Sequence, residues 1–251
     1  MSRLKDKVAI VTGGAQGIGE ATVRAFIAEG ASVVLTDLNE KKGVELVKEL
    51  GQNAFFIKHD VSNTEDWERV ISQTEAQFGY VNVLVNNAGI FGPVAKVVDL
   101  DKKDYLNAIN INQNSVFYGM KYTVPSMLNA GKGSIVNLSS MAGIAAVNGF
   151  PSVAYVSAKF AVRGMSKAVA VEYADNNIRV NSVHPGFIKT PMSAAAFTED
   201  DVMKELASKY VPLKRWSEAS EVASLNVFLA SDESAYITGT ELIIDGGVTA
   251  S

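Results

Sequence analysis

The residues that most constrain this chain run from Val8 to Gly19, Val-Ala-Ile-Val-Thr-Gly-Gly-Ala-Gln-Gly-Ile-Gly. Val8 to Val11 form an apolar run, short enough for a strand and continuous enough to be buried on both faces. Gly13, Gly17 and Gly19 follow, and Ile18, Ala21, Thr22, Ala25 and Phe26 then recur at helical spacing. Strand, glycine turn and helix together aim a helix N-terminus, with its unpaired amides and positive dipole end, at a phosphate. Glycines in the turn permit positive φ and let a pyrophosphate approach the backbone.

A second strand, Ser32 to Thr36, ends at Asp37, which lies 18 residues beyond Gly19. That is close to the roughly 20 expected of an acid that hydrogen-bonds a ribose 2′-hydroxyl. The same carboxylate repels a 2′-phosphate, and Gln16 brings no positive charge into the loop to offset it. The pattern therefore points to NAD(H) rather than NADP(H).

The rest of the chain alternates in the same way. Strands are expected over 54–58, 83–85, 133–138, 179–183 and 241–244. Helices are expected over 40–50, 64–78, 102–129, 153–174 and 218–229, with a polar, partly helical excursion over 190–214. Alternation of this kind predicts an α/β fold: one doubly wound, parallel, seven-stranded sheet with helices on both faces, in a single domain spanning 1–251. Right-handed crossovers put every strand's C-terminal end on one edge, where such sheets bind ligands. Asp37, Asp60, Asn87, Ser140 and His184 are the polar strand ends that should collect there.

Composition narrows the partners. Formal charge is 23 − 27 = −4, with no basic block, which disfavours nucleic acid and anionic membrane surfaces. Neither a secretory leader nor a membrane span is expected, because the first residues lack an apolar core and no apolar run reaches the length of a spanning helix. The absence of cysteine excludes disulfides and thiol chemistry. Asn137-Leu138-Ser139 matches a glycosylation sequon but lies in an expected buried strand. His59 and His184 are far apart in sequence with no carboxylate cluster, so no metal site is expected.

A second stretch, Tyr155-Val156-Ser157-Ala158-Lys159, carries chemistry. A Tyr and a Lys four apart share one helix face. Tyr210 and Lys214 have the same spacing, but Pro212 lies between them and argues against a regular helix there. Reducing a carbonyl by hydride needs a proton for the developing alkoxide, and oxidising an alcohol needs a base. A phenol's pKa of about 10 is too high for a base near neutrality. A neighbouring ammonium lowers such a pKa by about 1–3, and a cationic nicotinamide acts in the same direction.

Thr12-Gly13-Gly14-Ala15-Gln16-Gly17-Ile18-Gly19, Asn87-Ala88-Gly89, Ser140, Tyr155 with Lys159, and Pro185-Gly186 occur in that order. The chain thereby resembles the short-chain dehydrogenase/reductase family, in its compact single-domain branch, from Lys7 to Gly247. The resemblance implies one NAD(H)-binding oxidoreductase domain with the 190–214 excursion covering substrate. It implies Tyr155 as acid/base and Lys159 as the group that lowers its pKa and binds the nicotinamide ribose. Ser140 would hydrogen-bond the substrate oxygen, and Asn112 would hold a water relaying protons to Lys159. Cofactor contacts would come from Gly13, Gln16, Gly17, Ile18, Gly19 and Asp37. Asp60 and Val61 would face adenine, and Asn87, Ala88 and Gly89 would support strand and cofactor. Ile188 and Thr190, after Pro185-Gly186, would fix the carboxamide. A homotetramer is implied, with the helices around 105–128 and 153–174 at one interface.

Two departures stand. Ser140 lies 15 residues before Tyr155, a longer gap than is usual in the family, which keeps Ser139 and Ser152 as rival third members. Asn110, Asn112 and Asn114 alternate, so Asn112 rests on the motif. Met192, Ala194, Ala195, Ala196, Phe197 and Met203 would line an apolar pocket, and Trp216 either packs in a core or borders that pocket. The expected function is cytoplasmic, NAD(H)-dependent hydride transfer to a small hydrophobic or hydroxysteroid-like ketone. The alternatives are 3-oxoacyl-carrier-protein reduction and a non-catalytic NAD-binding regulator.

Overall fold

The computed structural model describes residues 2–146, 152–196 and 200–250. Its elements in chain order are β1 (Val8–Thr12), α1 (Gly17–Ala28), β2 (Ser32–Asp37), α2 (Glu40–Leu50), β3 (Ala54–Lys58), α3 (Thr64–Phe78) and β4 (Val83–Asn86). Next come α4 (Lys102–Ile109), α5 (Ser115–Ala130), β5 (Gly133–Leu138), α6 (Val153–Glu172) and β6 (Ile178–Pro185). The chain closes with β7 (Ile188–Lys189), α7 (Pro191–Ala196), α8 (Asp200–Tyr210), β8 (Ser217–Glu218), α9 (Ala219–Ala230) and β9 (Glu241–Ile244).

Seven strands form one sheet in the order β3-β2-β1-β4-β5-β6-β9, and every pairing is parallel. The order reverses between β1 and β4, so a crevice opens beyond their C-terminal ends. Alternation along each strand feeds two cores. Ala9 and Val11, Val33 and Leu35, and Val83 and Val85 meet Val23 and Phe26 of α1, Leu46 of α2 and Val227 of α9. Ile10, Val34, Leu84 and Ile135 face Trp67 of α3, Met120 and Met127 of α5 and Val162 of α6. Both faces of the sheet are covered, which is why these strands read as unbroken apolar runs.

The expected single helix over 102–129 is instead three pieces. A π-helical turn, Asn110–Asn114, separates α4 from α5. The two-stranded pairing of β7 with β8 was also not expected; Ile188 aligns with Ser217 and Lys189 with Glu218. It ties the start of the excursion to the approach to α9. Tyr210 ends α8, and Lys214 lies outside it with φ +56°, so this pair shares no helix face.

Candidate active site

A cleft of about 460 Å³ opens along the C-terminal strand ends, within the range of small-molecule sites. The β1–α1 turn forms one end. Gly13 and Gly17 have φ of +62° and +59°, a region that favours glycine. A Cβ on Gly19 would lie 2.0 Å from the Gly13 carbonyl, so α1 begins directly on the turn. Gln16 stands at the N-cap of α1 but makes no side-chain hydrogen bond to the helix, leaving first-turn amides for an anion. Gly13, Gln16, Gly17 and Ile18 line the cleft; Gly19 does not, and acts by close packing. Asn87 stitches the switch point together: its Nδ2 donates to the Thr12 carbonyl at 2.9 Å, and its own N–H and that of Ala88 donate to Thr12 Oγ1 at 3.0 Å.

Asp37 ends β2 at the cleft. Its carboxylate accepts from Ala15 N at 3.2 Å and Asn39 N at 2.9 Å. Gln16 itself brings no charge, but a cation reaches it from the next helix. Lys42, exposed on α2, donates to Gln16 Oε1 at 3.1 Å. Asp60 and Val61 line the same end, and Val61 O accepts from Trp67 Nε1 at 3.0 Å. Beside them His59 is buried, with Nδ1 3.0 Å from Thr36 Oγ1. Burial pushes its pKa down to about 4, so it is a neutral wall residue at neutral pH.

The other end holds Ser140, Tyr155, Lys159 and Asn112, all lining the cleft. The Ser140 hydroxyl lies near enough to the Tyr155 phenol to favour its ionised form. Ser139 turns away and donates to the Lys159 carbonyl at 2.9 Å. Ser152 lines the cleft, but its buried hydroxyl has no hydrogen-bond partner among the described residues. Of the three serines, Ser140 is the one whose hydroxyl acts on Tyr155. Lys159 Nζ donates to the Leu138 carbonyl at 2.8 Å and lies 5.6 Å from the Tyr155 ring centroid. Burial pushes its pKa down to about 8. Burial also pushes the Tyr155 phenol up, against the lowering effect of the Ser140 hydroxyl. The expected depression of the phenol is therefore not present in the protein alone, where desolvation of Tyr155 prevails.

Asn112 sits on the π turn, fully buried. Its Oδ1 accepts from Ile90 N and its Nδ2 donates to Ile90 O, both at 2.9 Å. Asn114 bonds Asn110 instead, so the structure separates the three asparagines. The Asn112 side chain pins the loop after β4, and a relay water would have to use its backbone. Ala88, Gly89, Pro185, Gly186, Ile188 and Thr190 complete the wall. A Cβ on Gly17 would meet Thr190 at 3.4 Å, so these two sides close on each other. Of the polar strand ends, His184 alone is turned beneath the cleft, against the Ser140 backbone.

Ile90, Phe91, Met141, Phe187, Met192 and Trp216 give the catalytic end an apolar lining. Trp216 does both things expected of it: it packs with Ala207 and Val211, 5.1 Å from the Phe187 ring, and it borders the cleft. Ala194 is exposed. Phe197 and the side chains of Ala195, Ala196 and Met203 lie outside the described residues. No three His, Asp or Glu among the described residues gather as metal ligands.

A seven-stranded parallel sheet with a glycine turn at its switch point and a Ser–Tyr–Lys group at its edge defines a nucleotide-dependent oxidoreductase. Comparison with known proteins agrees. A family model described as "Enoyl-(Acyl carrier protein) reductase" matches residues 13–249. The chain is 40% identical to a 3-alpha-(or 20-beta)-hydroxysteroid dehydrogenase of Mycobacterium tuberculosis, covering 99% of this chain and 91% of that one. It is 38% identical to a cyclohexanol dehydrogenase of an Acinetobacter species (99% and 97% covered). It is 40% identical to an NADP-dependent (R)-specific alcohol dehydrogenase of Lentilactobacillus kefiri (99% and 98% covered). The crystal structure of levodione reductase superposes with a TM-score of 0.93 at 32% identity, covering 99% of this chain and all of that one. The chain belongs to the short-chain dehydrogenase/reductase family. It is an oxidoreductase acting on secondary alcohols and ketones, in a family that uses a nicotinamide cofactor.

Proposed function

We propose that this enzyme uses NAD(H) to interconvert compact, apolar, ring-bearing ketones and their secondary alcohols, with Tyr155 as acid/base. The observation that carries the reading is one cleft holding Asp37 at one end and the Ser140–Tyr155–Lys159 group at the other. The glycine cradle and uncapped first turn of α1 fit a pyrophosphate, and Asp37 fits a ribose diol.

When bound, the nicotinamide donates or accepts the hydride. The protein's task is the proton. Burial keeps the Tyr155 phenol protonated at neutral pH, so it stands ready to give its proton to a carbonyl oxygen. Ser140 donates to that same oxygen as charge develops. The Lys159 ammonium beside the ring stabilises the phenolate left behind. In oxidation the same groups run in reverse. Asn112, locked to Ile90, holds the loop that forms the cofactor-side wall.

The apolar lining supports a hydrophobic substrate, and relatives named for cyclohexanol and hydroxysteroids support a ring. We further propose a cytoplasmic homotetramer that partners neither nucleic acid nor membrane. Exposed Leu106, Phe117, Phe160 and Val171 on α4, α5 and α6 support an interface there, and no described helix is long and apolar enough to cross a membrane.

The test is oxidation of NADH against NADPH over a panel of cyclic, aliphatic and steroid ketones and an acetoacetyl thioester. We expect NADH turnover with a cyclic ketone, and Tyr155→Phe lowering kcat by about 10²- to 10⁴-fold. Preference for NADPH with the thioester would replace this reading with the acyl-carrier one. NADH binding without turnover of any carbonyl would favour a regulator.

A further inference from the structure

Beneath the catalytic turn lies a buried imidazole that the chemistry above leaves unused. His184 is fully buried on β6, on the face packed against α6. Its Nδ1 lies 2.9 Å from the Ser140 carbonyl and its Nε2 2.9 Å from Ser182 Oγ. A carbonyl oxygen only accepts, so Nδ1 carries the proton and Nε2 accepts from the Ser182 hydroxyl. Burial pushes the imidazole's pKa below its ordinary value, which keeps this neutral tautomer.

The Ser140 carbonyl receives a second donor, the Gly143 N–H at 2.8 Å. Both of its lone pairs are then engaged, and the peptide after Ser140 is held from two sides. On the cleft side, Ser140 Oγ accepts from Ala142 N at 3.1 Å, which leaves its single proton to be donated. Arg163 grips the far side of the same turn through the Gly143 carbonyl at 2.7 Å, but His184 is the side chain that reaches Ser140's own backbone.

We propose that His184 is a positioning residue for the reaction: its Nδ1–H, set by Ser182, orients the Ser140 peptide so that the serine hydroxyl points at the reacting oxygen. The proposal rests on the reading of Ser140 given above. It assigns His184 no contact with substrate or cofactor.

The experiment compares Ser140→Ala, His184→Asn, His184→Gln and Ser182→Ala in the full-length enzyme. It measures kcat and KM for the ketone, Kd for NADH by fluorescence, and thermal melting. Asn places an amide donor near Nδ1, and Gln places one near Nε2. We expect His184→Gln to lower kcat about a hundredfold, the scale of a misplaced catalytic group, with NADH Kd unchanged. His184→Asn should recover most of that loss. Ser182→Ala should lower kcat less, because the tautomer is only partly freed.

Equal kcat for the Asn and Gln variants overturns the proposal. So does native kcat in His184→Gln while Ser140→Ala is inactive, or a parallel loss of NADH binding, which would mark general damage to the sheet edge. If both His184 variants fail to fold, native kcat in Ser182→Ala overturns it. Native kcat in Ser140→Ala would instead strike the reading of Ser140, and the two failures are thereby distinguished.

Discussion

Lys159 shows a residue whose function opposes its stability. Its ammonium is 4% exposed and pairs with a carbonyl rather than a carboxylate. Its pKa falls from 10.5 to about 8, which at about 1.36 kcal/mol per pH unit is roughly 3 kcal/mol of destabilisation. The sign follows from the depressed folded value: the native state resists the proton, so the cost is full below about 8 and gone above about 10.5. Lys159→Met loses the bond to the Leu138 carbonyl, worth about 1 kcal/mol. It should therefore be more stable by roughly 2 kcal/mol at neutral pH and catalytically dead, with the gain shrinking toward pH 10 in denaturant titrations. A second residue-scale prediction concerns Asp37 and Lys42. With the carboxylate removed in Asp37→Ser, the Lys42 ammonium at Gln16 becomes the dominant charge at the ribose. The NADPH-to-NADH ratio of kcat/KM should rise tenfold or more, about the cost of one like-charge contact, and adding Lys42→Ala should return most of it. No change in the ratio would mean that the ribose lies elsewhere.

At the scale of elements, the β1–α1 unit depends on one approach. Gly19→Ala puts a methyl 2.0 Å from the Gly13 carbonyl and forces helix and turn apart. We expect a loss of about 1–3 kcal/mol of stability, as in overpacked cores, together with weaker cofactor binding by titration. This unit was legible from sequence because its determinants are local: an apolar run, glycines, and an acid at fixed spacing. β2, β3, α2 and α3 were legible for the same reason, bounded by Gly51, Asn63 and Gly79. The break at Asn110–Asn114 was not, because the helical periodicity on either side runs through it. It coincides with the Asn112 amide bonded to Ile90, 22 residues earlier in the chain. The Lys42–Gln16 contact and the β7–β8 pairing were hidden likewise, since each joins residues distant in sequence. The motif put Ser140 first and left Ser139 and Ser152 as rivals; what it could not show is the strand register that turns Ser139 toward α6. The phenol's raised pKa was missed because burial is a property of the whole cleft, and the Tyr–Lys spacing says nothing of it.

For the whole molecule, the question is what covers the outer face of the helix that bears Tyr155 and Lys159. Phe160, the residue next to Lys159, is 41% exposed, and Val171, nearer the end of α6, is 81% exposed. Phe117 on α5 and Leu106 on α4 are about half exposed as well (48% and 51%). Large apolar side chains left exposed are a feature of association surfaces, and self-association by a two-fold operation would bury the same residues on both copies. If α6 is backed by a second subunit, assembly also steadies the catalytic pair on its inner face. Phe160→Glu replaces an apolar contact of that interface with a charge, and sedimentation should show smaller species than the native protein. Because Lys159 lies one residue away, kcat should fall with dissociation and recover as protein concentration rises, while Leu213→Glu, on a solvent-exposed loop remote from α6 in sequence, should leave the sedimentation coefficient unchanged. A native protein that sediments as a monomer, or a Phe160→Glu variant that stays assembled, would mean that this face stays open to solvent.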